Sequence, residues 1–240
     1  MTKIVLPVDF SEASSNAVRY AAALSCDRAV NSIVLLHTAE ITAYDNISQV
    51  GGGELITEER QRTALLLAER SKALIAGCPR GIRIQTATSE MPLLRAVHQL
   101  VADVGADLVV VGAEADAEDG TLSGHVIGLA RTSSVPVLVV PRGCRYERPR
   151  KAVVLARPGQ DVGGVLDEEW LRTEFGITAF SVYSVSGPDP IQGVLDHTEA
   201  IAGQLIVALP GHRSLFYRLT HRDLAKALAQ NRAFPVLLLK

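Results

Sequence analysis

Cysteine is scarce in this sequence: there are three in 240 residues, an odd number with no CxxC spacing. Such a set argues against a disulfide framework and against a structural zinc site, and it is typical of a reducing compartment. No apolar run approaches the roughly 18 residues of a membrane span. The N-terminal residues lack the apolar region and cleavage site of a signal peptide. We therefore expect a cytoplasmic protein without a membrane segment.

Neither sign of charge dominates, since 24 basic and 26 acidic residues leave a formal net charge of −2. This balance gives no general reason to expect nucleic acid or an acidic membrane as a partner. The GxSxG motif of serine hydrolases and the HExxH motif of zinc peptidases are also missing. Glu114 and Asp116 are an alternative acid–base pair, but no nucleophile or oxyanion hole is recognisable beside them. We expect that the chain is not an enzyme, with a hydrolase or nucleotidyl-transfer enzyme as the alternative.

Apolar, β-branched runs are present instead, most clearly at 107–111 and 136–140. Runs without polar alternation are typical of parallel strands that are covered on both faces. Over residues 1–141 such runs alternate with helical patterns, which predicts an α/β fold with a doubly wound parallel sheet. Ser11 is the predicted N-cap of the first helix, and Thr57 is the predicted cap of the second. Residues 39–54, with three adjacent glycines, are interpreted as a loop with a flexible insertion.

The second part of the chain is a shortened echo of the first. The matching stretches are 3–6, 81–84, 108–111 and 136–140, echoed at 151–154, 176–179, 205–208 and 235–239. The sequence offset between the first two matching stretches is larger than the other offsets by about the length of one strand plus one helix. The second unit therefore corresponds to the first without residues 31–80. The predicted domains are 1–141 and a reduced 151–240, joined by a linker at 142–150. A unit of this size has a small core and is expected to depend on its partner.

The linker is basic, and it carries Arg142, Arg145, Arg148 and Arg150 next to Lys151. One hypothesis is a patch that binds nucleic acid. Because Tyr146 is the single aromatic residue among them, the pattern favours a solvated linker instead.

Four stretches together resemble the universal stress protein family in its tandem form with a shortened second domain. They are Leu-Pro-Val-Asp-Phe-Ser at 6–11, Leu-Leu-His at 35–37, Ala-Asp-Leu-Val-Val-Val-Gly at 106–112, and Val-Pro-Val-Leu-Val-Val at 135–140. The resemblance implies a stress-response protein with an adenine nucleotide alpha hydrolase-like fold. Many members of that family bind ATP. Their motif is a glycine, two residues, a second glycine, nine residues, and then glycine followed by Ser or Thr.

By this resemblance, Asp9 would face adenine, Thr38 would offer backbone groups to the base, and Gly112 would begin the phosphate loop. The candidate nucleotide site comprises Pro7, Asp9, Thr38, Val111, Gly112, Gly124 and His125. Two positions depart from the family pattern: Ala115 replaces the second glycine, and Ser123-Gly124 inverts the final pair.

Acidic residues crowd the segment after Gly112, namely Glu114, Asp116, Glu118 and Asp119. Each like charge a few ångströms from a phosphate costs roughly 1 kcal/mol in water and more when partly buried. We therefore expect no bound ATP and no cofactor or metal. The alternative is an ATP sensor in which Mg²⁺ bridges the carboxylates and the phosphates.

The second unit has Arg157 where the first has Asp9, and it has a basic loop with Arg213, Arg218, His221 and Arg222. This loop could hold an anion at a helix start or pair with the acidic residues, but solvated charge is the preferred interpretation. The strands at 136–140 and 235–239 are expected at sheet edges. The resemblance implies that they pair antiparallel, either within one chain or across a homodimer. We expect a binding or interaction protein whose protein partner is unknown.

Overall fold

A computed structural model describes six stretches of the chain: 2–39, 52–113, 124–156, 158–185, 190–209 and 234–240. The strands are β1 (Thr2–Pro7), β2 (Val30–Thr38), β3 (Arg83–Ser89), β4 (Leu108–Ala113), β5 (Val137–Pro141), β6 (Lys151–Ala156), β7 (Ala179–Ser184), β8 (Leu205–Ala208) and β9 (Val236–Leu238). The helices are α1 (Glu12–Asp27), α2 (Gly52–Gly77), α3 (Leu93–Val104), α4 (Gly124–Thr132), α5 (Glu168–Phe175) and α6 (Pro190–Ala200). None of the described helices is both long and apolar enough to cross a membrane.

The strands form one sheet in the order β3-β2-β1-β4-β5-β9-β8-β6-β7. Neighbouring strands are parallel, except that β5 and β9 are antiparallel. This arrangement confirms the predicted α/β fold with a mostly parallel sheet. After β1 the chain forms β2 and β3 on one side of β1, and it then forms β4 on the other side. Such a reversal opens a crevice at the carboxyl ends of the two strands, where ligands of open α/β sheets bind.

Alternate strand residues face two hydrophobic clusters, one on each face of the sheet. Ile4 and Leu6 lie in the cluster with α1, α2 and α5, whereas Val5 lies in the cluster with α3, α4 and α6. Each cluster also contains residues from both sides of the 142–150 segment, such as Leu6 with Val154 in the first. The two parts of the chain therefore share their core, as expected for a second unit with too few strands to bury its own.

The strands β5 and β9 pair within the chain, at the centre of the sheet. Their register matches Val137 with Leu238, Leu138 with Leu237, and Val139 with Val236. Of the two predicted alternatives, this is the intramolecular one, and a homodimer stays a prediction. Each strand covers an edge that the other would leave exposed, so neither of them is an edge of the complete sheet.

The strand β7 pairs directly with β6, in the position that β2 takes beside β1. In the first part of the chain, β3 lies one strand further out. The arrangement is the one expected if a strand and a helix are missing from the second part. The predicted domain limits themselves stay a prediction, as does the helix near 214–230, which lies outside the described residues.

The helix α2 begins earlier than the sequence indicated. Gly52 and Gly53 are helical, so the prediction of Thr57 as the cap was wrong, as was the prediction of a loop through residue 54. Glycine is costly inside a helix but is tolerated at its first positions, where the backbone N–H groups have no intrahelical partner. Residues 40–51 lie outside the described part of the chain.

The 142–150 segment is attached to α1. The buried Asn16 donates hydrogen bonds to the carbonyl oxygens of Pro141 and Cys144, each at 2.8 Å. The Tyr146 hydroxyl donates to the Asp27 carboxylate at 2.7 Å. The arginines of the segment are exposed, and the interpretation as a solvated linker stays a prediction. The segment itself is extended chain held against a helix at several points.

Candidate functional site

A cavity of about 300 Å³ opens in the crevice at the carboxyl ends of β1 and β4. Its lining residues come from β1, β2, β4 and the starts of three helices: Pro7, Val8, Asp9, Ser11, Ala13, Ser14, His37, Thr38, Leu93, Val111, Gly112, His125 and Val126. Small-molecule sites typically occupy about 300–1,000 Å³, so this cavity lies at the lower end of that range.

Six of the seven predicted site residues line this one cavity: Pro7, Asp9, Thr38, Val111, Gly112 and His125. Gly124 begins α4 and immediately precedes His125, but it is not among the described lining residues. The structure thus brings together residues that are up to 118 positions apart in the sequence. Whether they bind a nucleotide stays a prediction.

Among the described residues that line the cavity, Asp9 is a charged group whose protonation state follows from its hydrogen bonds. Its carboxylate accepts the backbone N–H of Ser11 at 2.9 Å. Burial raises the pKa of the Asp9 carboxyl. Hydrogen bonds from the Ser11 and Ser14 hydroxyls and from backbone N–H groups outweigh that effect and bring the pKa below its usual value. Asp9 is therefore ionised at neutral pH and presents a hydrogen-bond acceptor to a ligand.

Phe10 holds the loop after β1 in an uncommon backbone conformation. Its φ is 64°, in the left-handed region that bulky residues seldom adopt. The ring of Phe10 packs on that of His37, with 4.6 Å between the centroids. The Nδ1 of His37 lies 2.7 Å from the carbonyl oxygen of Val8. Because a carbonyl oxygen only accepts, this nitrogen carries a proton. His37 is thus a hydrogen-bonded structural residue, as its position at the end of an apolar strand indicated.

Gly112 lies against the first turn of α1. A Cβ atom on this residue would be 2.4 Å from the backbone C and O atoms of Ala13 and 2.6 Å from the N of Ser14. Real Cβ atoms do not approach so closely. Glycine at this position lets α1 start next to β4, which places the amino end of the helix at the cavity.

The amino end of α1 supplies backbone N–H groups to the cavity wall. The Ser11 hydroxyl caps the helix by accepting the N–H of Ser14 at 3.1 Å, which confirms the predicted N-cap. The first N–H groups of a helix have no intrahelical partner and carry partial positive charge. This end of the cavity therefore favours electronegative atoms of a ligand.

The sequence-based prediction missed several lining residues, notably Ser14, Leu93 and Val126. Ser14 follows the cap by three residues, so it lies on the same side of the first helical turn, and this spacing was a usable signal. Leu93 begins α3 and Val126 lies in the first turn of α4, and only the packing of those helices brings them to the crevice.

Other predicted groups lie outside the described residues. They are Glu114, Ala115, Asp116, Glu118, Asp119, Ser123, Arg157, Arg213, Arg218, His221 and Arg222. The hypotheses about the acidic and basic loops stay predictions.

A second, smaller cavity of about 90 Å³ lies where α5 meets the start of β1. Arg28, at the end of α1, donates a hydrogen bond from Nη2 to the carbonyl oxygen of Phe175, the last residue of α5. Thr2 donates to the Glu174 carboxylate from the same side. The volume is well below that of small-molecule sites. The two hydrogen bonds join the first part of the chain to α5 in the second.

A family model described as the universal stress protein family matches residues 1–141. That range contains all seven predicted site residues and the whole lining of the larger cavity. No curated protein matches the sequence.

Solved structures resemble the fold. A universal stress protein from Archaeoglobus fulgidus is 15% identical, with a TM-score of 0.64 over 100% of this chain and 96% of that one. A protein of unknown function from Pseudomonas aeruginosa is 11% identical, with a TM-score of 0.54 over 100% and 92% of the two chains. A universal stress protein in complex with cAMP is 20% identical, with a TM-score of 0.42 over 59% and 97%. At these identities the likeness to the first two structures shows the fold alone.

Proposed function

Because the chain belongs to the universal stress protein family, we propose that it is a stress-response binding protein, not an enzyme, whose cavity takes an adenine nucleoside in preference to ATP. The observation that carries the proposal is the charge of the cavity. Among its described lining residues, Asp9 is acidic and none is lysine or arginine. Such a lining suits a ligand that has hydrogen-bond donors and no phosphate.

The apolar and polar residues that line the cavity support a nucleoside. Apolar side chains such as Val8, Leu93 and Val126 offer a surface for a flat ring, and a few polar groups can orient it. The ionised carboxylate of Asp9 can accept a hydrogen bond from the exocyclic amine of adenine. The family resemblance also assigns adenine to this residue.

A triphosphate is disfavoured by charge. It would bring several negative charges to a cavity that already contains the Asp9 carboxylate, and the next residues after β4 are rich in acidic side chains. Repulsion between such charges costs roughly 1 kcal/mol per pair in water and more in a less polar surrounding. The partial positive charge of a helix end, about half an elementary charge, does not offset this.

Isothermal titration calorimetry with adenosine, ATP, and ATP with Mg²⁺ tests the proposal. Adenosine is expected to bind more tightly than either form of ATP. The substitution Asp9→Asn is expected to weaken adenosine binding about tenfold or more, since a hydrogen bond to a charged group contributes roughly 1.5–3 kcal/mol. Asp103→Asn, on the exposed surface of α3, removes the same charge elsewhere and serves as the control.

The second candidate function is an ATP sensor, which the convergence of six predicted residues on one cavity favours. Tighter binding of ATP than of adenosine, above all a binding that needs Mg²⁺, would replace the first proposal with this one. Equal loss of adenosine binding in Asp9→Asn and Asp103→Asn would contradict the assigned role of Asp9.

A further inference from the structure

Two of the three cysteines lie next to each other where α1 and α2 end. Cys26 is the penultimate residue of α1, and Cys78 is the first residue after α2. The Sγ of Cys26 is 3.4 Å from the carbonyl oxygen of Gly77, the residue before Cys78. The Sγ of Cys78 is 3.4 Å from the hydroxyl of Ser25, the residue before Cys26. Each sulfur atom therefore contacts the residue that precedes the other cysteine in the sequence.

We propose that Cys26 and Cys78 are an oxidisable pair that hydrogen peroxide converts into an intramolecular disulfide joining the ends of α1 and α2. The pair goes beyond the nucleoside cavity, because neither cysteine lines that cavity. The third cysteine, Cys144, is buried and takes no part.

The exposure of the two thiols sets the order of the steps. Cys26 is exposed and Cys78 is half-buried, so peroxide reaches Cys26 first. The Cys26 sulfur attacks one peroxide oxygen, an S–O bond forms, the O–O bond breaks, and the leaving hydroxide takes the thiol proton to become water. The Cys78 sulfur then attacks the Cys26 sulfur. An S–S bond forms, the S–O bond breaks, and a second water leaves with the Cys78 proton. Two thiols lose two electrons, and peroxide is reduced to two water molecules.

The proposal requires the chain around Cys78 to adjust to the geometry of a disulfide. Cα atoms in disulfides are about 4.4–6.8 Å apart, with the Cβ atoms directed at each other. Cys78 follows the last residue of its helix and keeps one backbone hydrogen bond, from its N–H to the carbonyl oxygen of Ile75 at 3.3 Å. Burial raises the pKa of the Cys78 thiol, so a smaller fraction of it is thiolate and it reacts with peroxide less readily than an ordinary thiol.

Peptide mapping of the intact chain tests the proposal. Reduced protein is treated with hydrogen peroxide, alkylated, and digested with trypsin without reductant. Cleavage after arginine and lysine yields the peptides 20–28 with Cys26, 73–80 with Cys78 and 143–145 with Cys144. The expected product is a disulfide-linked pair of the peptides 20–28 and 73–80, and reductant restores both peptides. The intact oxidised chain is expected to stay a monomer that is lighter by two hydrogen atoms before alkylation.

Matched variants make the result specific. Cys26→Ser and Cys78→Ser are each expected to abolish the linked peptide, whereas Cys144→Ser is expected to leave it unchanged. Any of three results would overturn the proposal: Cys26 in a sulfinic form with Cys78 still reduced, a link found only between two chains, or peroxide-treated protein with three free thiols.

Discussion

Position 112 requires glycine because of a backbone contact as much as because of any ligand. The family resemblance assigned it to a phosphate loop, and the structure adds that its missing side chain lets the first turn of α1 approach β4. Sequence reasoning could find the residue but not this reason, because the partner atoms belong to Ala13 and Ser14, about 100 residues away. The site therefore depends on a steric requirement that holds even without a ligand.

Gly112→Ala is expected to lower the free energy of unfolding by about 1–3 kcal/mol, the usual cost of forcing extra atoms into a packed place. Urea unfolding followed by circular dichroism measures it. The control is Gly163→Ala, where the new Cβ would meet nothing closer than 3.5 Å and a change within about 0.5 kcal/mol is expected. Similar stabilities for the two variants would show that α1 can move away from β4 at little cost.

The ionisation of Asp9 is expected to make the free energy of unfolding measurably dependent on pH. Its pKa is lower in the folded chain than in the unfolded one. Its ionised form therefore stabilises the fold above the unfolded pKa of about 3.9, and this contribution is lost as the pH falls through the folded pKa. The difference in unfolding free energy between the wild type and Asp9→Asn is expected to stay constant from about pH 7 to 5 and to shrink below about pH 4. A difference that grows on acidification would contradict the assigned hydrogen bonds.

At the scale of elements, the sequence predicted the described strands and helices well, with the exception of the start of α2. Long apolar runs and capping residues such as Ser11 are strong local signals. The run of glycines before α2 is a weak one, because glycine permits both a loop and a helix start. The same limit applies to β5 and β9: local pattern predicted both strands and their antiparallel pairing, but could not choose between one chain and two.

The helix α5 is held at its carboxyl end by Arg28, whose guanidinium also packs over Gly176. Arg28→Ala is expected to release this end and to speed amide hydrogen exchange in α5 about 5- to 30-fold, the equivalent of 1–2 kcal/mol. Arg95→Ala, on the exposed side of α3, is the matched control. Unchanged exchange in α5 would mean that the burial of Leu171 and Phe175 alone fixes the helix.

At the scale of the whole molecule, two cores that continue across the β5–β9 pairing predict a single cooperative unfolding transition. The chain has one tryptophan, Trp170 in α5, so fluorescence reports on the second part while circular dichroism reports on both. The two urea curves are expected to coincide.

The substitution Leu237→Pro tests the origin of this cooperativity. Leu237 is fully buried in β9 and pairs with both Leu138 and Val207. Proline removes a backbone donor from a central strand, so both probes are expected to shift together to lower urea. A wild-type fluorescence transition that precedes the circular dichroism transition would show that the two parts unfold independently.

The antiparallel pairing of β5 with β9 gives the molecule two opposite ends. The strands β1 to β5 all finish at one edge of the sheet, and β6 to β9 all finish at the other. Ala113 and Leu209, which precede the acidic and the basic segments, consequently stand at opposite ends. A small molecule in the cavity of the first part would thus lie at one end of the sheet, whereas the carboxyl ends of the second part's strands lie at the other.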